Sequence, residues 1–227
     1  MSKETAKGEK ISNTNTPYDD VFKTLLLDCR NLIVPVVNEI FDEDYTREAI
    51  VQFKENEVIL RKPGAVEDRF TDSSFSITER EESRNYHLEC QSTPDGSVIV
   101  RMYEYDSQIA LKDGELEQGV LRVNFPQSAV LYLRYNENTP DVLRIYINTP
   151  GGSVSYDIPI MKIGNYSVDL IFDKKLYFLI PFYIFVYSRE LGKNKKIGED
   201  SDLLIDIRKT YIDIMGRLEK CCDEGGK

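Results

Sequence analysis

The sequence predicts an α/β domain in which a central mixed β-sheet is flanked by helices. Two observations carry this. Hydrophobic spacing changes from helical to two-residue alternation near residue 49 and returns to helical spacing near residue 98. Apolar side chains make up 41% of the 227 residues, enough for a sizeable core.

Residues 1–15 are polar and aperiodic and are expected to be a disordered tail. Order begins at Thr16, Pro17 and Asp19, which suit a helix start: a capping hydroxyl, a first-turn proline and an acid at the positive end of the dipole. Phe22, Leu25, Leu26, Cys29 and Ile33 recur at helical spacing, so a helix over 16–33 is expected, with Pro35 interrupting it before residues 36–41. Strands are predicted at 50–53, 58–60, 69–77 and 86–92, and the Pro94-Asp95-Gly96 turn leads into a helix over 98–111. Further strands are expected at 129–135, 142–148 and 154–163, with Pro150-Gly151-Gly152 as a turn. Residues 174–190 read as helix, 192–201 as a polar loop and 203–220 as an amphipathic helix.

Acids outnumber bases 39 to 29, a formal charge of −10, which argues against coating nucleic acid by bulk charge. A local basic track or a bridging metal would still permit DNA chemistry. The twelve-residue apolar run 176–187 contains Pro181 and falls short of the ~20 residues that span a bilayer. No membrane association is expected. No apolar segment opens the chain, and Cys29, Cys90, Cys221 and Cys222 lack metal-ligand spacing, so reduced thiols in the cytoplasm are expected.

On the strand at 86–92, His87, Glu89 and Gln91 share one face while Tyr86, Leu88 and Cys90 share the other. Sixteen residues separate Asp72 from Glu89, enough for a strand, a turn and a returning strand. Two carboxylates and a strand carbonyl would form a hard oxygen site suited to Mg²⁺. With 39 acidic residues in the chain, chance pairs on a solvated sheet face give the same spacing. His87 is expected to be a hydrogen-bonded sheet residue rather than a ligand.

Residues 69–75 (RFTDSSF), 86–92 (YHLECQS), Asp95 and 101–111 (RMYEYDSQIAL), with the opening YDDVFK at 18–23, resemble the PD-(D/E)XK nuclease family of transposases and recombination-promoting nucleases. The resemblance covers residues 16–190 and implies a restriction-endonuclease-like core carrying a Mg²⁺-dependent DNA endonuclease, with Mn²⁺ as an alternative ion. It implies that Asp72, Glu89 and the Cys90 carbonyl hold the metal, and that Asp19 adds the acid of the first helix. Thr71 stands where the motif has Pro, and Gln91 where it has Lys. Gln91 carries no charge, so its implied role is to orient the attacking water. Arg101, Tyr105 and Gln108 fall on one flank of the helix after Gly96 and, with Lys23, are the expected DNA contacts. The alternative for Arg101 is a pairing that merely finishes the helix surface.

Members of that family usually run longer, so the 191–227 loop and helix are expected to be a truncated C-terminal part. A homodimer is among the assemblies this reading allows. The acidic balance and Gln91 also fit a catalytically weak or silent nuclease-fold remnant that acts by binding. A metal-dependent enzyme on another phosphodiester is the third reading.

Overall fold

A computed structural model of the chain describes residues 17–53, 74–93, 96–193 and 201–225. The expectations for residues 1–15, the strand at 58–60, Asp72, Asp95 and the 194–200 loop lie outside these residues.

Helix α1 (Pro17–Asp28) buries Phe22 and Leu26, one turn apart, as the spacing predicts. It stops sooner than expected. Cys29 leaves helical geometry, a 3-10 turn follows over Arg30–Ile33, and α2 (Val34–Phe41) starts there. Pro35 sits in the first turn of α2, where its missing N–H is no loss, so it opens a helix rather than interrupting one. Asp42 ends α2 in the left-handed region, its N–H donating to the Asn38 carbonyl.

The described strands form a six-stranded mixed sheet in the order β1 (Ile50–Phe53), β2 (Ser74–Glu79), β3 (Glu82–Gln91), β6 (Gln127–Tyr132), β8 (Gly152–Lys162) and β7 (Val142–Thr149). β1, β2 and β3 pair antiparallel, β3, β6 and β8 parallel, and β7 lies antiparallel on β8. The expected neighbours at 69–77 and 86–92 do pair, with Ser74 opposite His87 and Phe75 opposite Tyr86. Their described parts meet in a tighter hairpin than expected. Arg80 and Glu81 both take positive φ, 51° and 69°, the two-residue turn whose twist matches flanking strands. A second hairpin, β4 (Glu115–Glu117) with β5 (Val120–Arg122), turns at Gln118 and Gly119 and stands apart from the main sheet.

Helix α3 (Val98–Lys112) lies on one face of the sheet, where Val98 and Met102 pack with Val130, Tyr132, Ile145 and Ile158. The other face carries the larger core, joining Phe22, Leu26, Ile33, Phe75, Ile77, Tyr86, Leu88 and Leu131 to Phe178 and Phe182. Each such side chain, fully buried, contributes ~1.5–3 kcal/mol.

The helix expected over 174–190 is two pieces, and a short helix precedes it. α4 (Val168–Asp173) ends first, a 3-10 helix runs over Tyr177–Tyr187, and α5 (Ser188–Lys193) follows. The 3-10 helix buries Phe178, Leu179, Phe182, Tyr183 and Phe185, and Pro181 inside it supplies no N–H for an α-helical bond. The last helix, α6 (Asp202–Gly225), extends past the expected end and buries Ile214. Among the described residues no helix is long and apolar enough to cross a membrane.

Candidate functional site

β3 carries chemistry on the face that α3 covers. Tyr86 and Leu88 belong to the larger core and Cys90 packs against it. His87 and Glu89 face the other way, as the alternation requires. His87 is fully buried, and its Nδ1 donates to Asp106 Oδ1 of α3 at 2.7 Å. The same carboxylate accepts from Ser128 Oγ of β6 at 2.6 Å and, through Oδ2, from Tyr156 Oη of β8 at 3.1 Å. Burial, followed by the charge of Asp106 and the hydrogen bond to it, pushes the Tyr156 phenol far above its ordinary range. Asp106 was not foreseen. Its signal is its place beside Met102, Tyr105 and Ile109 on the buried stripe of α3, where an acid must find donors.

Two residues further along β3 the strand emerges. Glu89 and Gln91 are half-buried, and Gln91 Nε2 donates to Glu89 Oε1 at 3.1 Å. The Gln91 carbonyl accepts from the Leu133 N–H, on the β6 side, at 2.9 Å. Successive carbonyls of a strand point to opposite edges, so the Cys90 carbonyl points to the β2 edge. Asp72 lies outside the described residues. Asp19 occupies the first turn of α1, with its side chain also outside them, and half-buried Lys23 follows one turn later. That end of α1 reaches the same end of the sheet: Tyr18 meets Phe185 edge-on at 4.4 Å, and Phe185 lies under Arg134, next after Leu133.

The expected DNA contacts on α3 separate. Arg101 donates to Ser97 Oγ at 2.6 Å in the first turn and remains partly exposed. Tyr105 is 5% exposed and meets the His87 ring edge-on at 5.9 Å, so its ring belongs to the interior and not to a DNA surface. Gln108 is half-buried. Among the described residues no three His, Cys, Asp or Glu side chains gather as a metal site; the described donors are Glu89 and the Cys90 carbonyl.

A cleft of about 820 Å³ lies elsewhere, lined by Asn38, Glu43, Tyr45, Arg47, Lys174 and Tyr177 among others. Glu43 binds Arg84 at 2.6 Å, near the start of β3, so the cleft is at the opposite end of that strand from Glu89. Burial, followed by contact with Cys221, raises the Tyr177 phenol to about 12.

Set against family models, curated proteins and solved structures, the chain matches none.

Proposed function

We propose that the protein is a Mg²⁺-dependent DNA endonuclease with a restriction-endonuclease-like core, its site at the end of β3. The observation that carries this is the pair Glu89 and Gln91, hydrogen-bonded to each other and half-exposed just beyond the buried middle of β3. The β2–β3 register supports it. Ser74 is opposite His87, and two more residues of pairing in that register would set position 72 across from Glu89. The resemblance of residues 69–75 and 86–92 to PD-(D/E)XK nucleases of transposase type supports the same reading.

The donors fit a hard divalent ion: a carboxylate from Glu89, a second from Asp72, and the Cys90 carbonyl aimed at the β2 edge between them. Mg²⁺ bound there would polarise the scissile phosphate and lower the pKa of a water. Gln91 fixes one Glu89 oxygen through Nε2 and keeps its amide oxygen as an acceptor that orients the attacking water. Asp19 would add negative charge from α1, and Arg101 and Lys23 would be cations for the phosphate backbone.

One observation favours a second reading, a silent nuclease-fold remnant that acts by binding. Gln91 is neutral, and its amide occupies a Glu89 oxygen that a metal would use. Plasmid cleavage with Mg²⁺, Mn²⁺ or EDTA separates the two. Nicking that requires the divalent ion and disappears in Glu89→Gln supports the enzyme. Metal-independent behaviour, with no heat of Mg²⁺ or Mn²⁺ binding by calorimetry, supports the remnant.

A further inference from the structure

We propose that Arg134 and Arg189 form a phosphate-binding rim that seats the DNA backbone beside Glu89 and Gln91; the choice of DNA rests on the nuclease reading above. The two arginines are joined through adjacent contacts. The Arg134 guanidinium lies 4.6 Å from the Phe185 ring centroid, and that of Arg189, one turn after Phe185, lies 5.9 Å from the ring of Tyr135. Residues 134 and 135 thus run alongside residues 185–189. A guanidinium laid on an aromatic ring is held in place while its N–H edge stays open to a phosphate.

The seat is fixed from below. Lys162 approaches the Tyr135 ring at 5.7 Å, and its charge is already met by Asp141 and the Thr139 carbonyl, both at 2.7 Å. The Tyr135 ring also rests directly on Gly164, where an added Cβ would run into the phenol oxygen. The rim is at the right end of the sheet, because Leu133, immediately before Arg134, donates to the carbonyl of Gln91.

Neither arginine has a carboxylate within ion-pair distance among the described residues, although Glu137 and Glu190 are close in sequence. In a chain of charge −10, two exposed guanidiniums left unmatched at one sheet end are the local positive ground that a polyanion needs.

The test is fluorescence anisotropy of a labelled DNA duplex with the full-length protein in EDTA, so that neither metal nor cleavage enters. Arg134→Gln and Arg189→Gln should each weaken binding about tenfold. Each should also lower the slope of log affinity against log salt by ~0.9, while Arg→Lys at either site keeps the slope. Excess inorganic phosphate should compete only weakly; full displacement at low concentration would make the rim a free-phosphate site and overturn the strand assignment. A folded double variant that binds DNA like wild type, a wild type that binds no DNA at low salt, or one that binds only RNA would each overturn it. Cleavage by wild type with unchanged binding in the double variant would remove the rim and leave the nuclease. Arginine-dependent binding without cleavage by any metal would do the reverse.

Discussion

His87 Nδ1 lies 2.7 Å from Asp106 Oδ1, and neither residue is exposed to solvent. This bond ties the middle of α3 to the strand that carries Glu89 two residues on. Asp106 bonds His87, Ser128 and Tyr156 at once, so three strands of the sheet depend on one helix side chain. Asp106→Ala leaves all three donors without it. We expect a loss of at least ~3 kcal/mol in urea unfolding, because three buried groups each lose a hydrogen-bond partner at ~1–3 kcal/mol apiece. A loss below about 1 kcal/mol, the scale of an ordinary hydrogen bond, would show that the cluster does not hold α3 in place.

Ser74 and Ser128 flank His87 on neighbouring strands, each directly opposite it, and both are buried. Their fates should differ. Ser128 donates to Asp106, whereas the Ser74 hydroxyl has no partner among the described residues. Ser128→Ala should lose ~1 kcal/mol or more. Ser74→Ala removes an unsatisfied buried group and should be neutral or stabilising. Equal losses in the two variants, measured by thermal unfolding, would contradict this difference in bonding.

The face of β3 was legible in the sequence because strand alternation is local: Tyr86 and Leu88 go one way, His87 and Glu89 the other. The spacing allowed the β2–β3 pairing, but the tight turn at Arg80 and Glu81 was not legible in it. Asp106 was not legible as a partner, because that needs the knowledge that α3 crosses over His87. The 3-10 helix was masked by composition, since a run apolar on every side reads as any buried segment. The β4–β5 hairpin was hidden for the opposite reason. Its residues are exposed throughout and carry no core pattern. Tyr105 was assigned to the wrong side because helical spacing from Arg101 fixes a flank but not which flank meets the sheet.

Alkaline pH should unfold the protein through its buried phenols. Burial, then a hydrogen bond with Tyr45, raises Tyr86; burial, then the charge of Glu39, raises Tyr166 to about 12; Tyr156 is raised by burial and then Asp106. Each folded pKa lies above the unfolded value of ~10, so the folded state holds the proton more tightly. That contribution is complete below pH ~10 and declines as pH rises through the folded values. The thermal midpoint should fall above pH ~10, and Tyr166→Phe should make the fall shallower between ~10 and ~12. An unchanged slope in Tyr166→Phe would remove that phenol from the account.

Gln91→Lys tests whether the neutral residue limits the proposed chemistry. Gln91 Nε2 already lies 3.1 Å from Glu89 Oε1, so a lysine there would reach the same carboxylate with a full charge. Two effects then oppose each other. The ammonium would compete with a divalent ion for Glu89, so Mg²⁺ affinity by calorimetry should drop. It would also place positive charge beside the transferring phosphate, where a preorganised cation stabilises developing negative charge. At saturating Mg²⁺ the second effect should prevail and single-turnover plasmid nicking should rise at least about tenfold, a change of ~1.4 kcal/mol in barrier. Glu89→Gln in the same background should return the rate to the uncatalysed level. If Gln91→Lys instead leaves nicking unchanged at saturating metal, position 91 takes no part in the reaction.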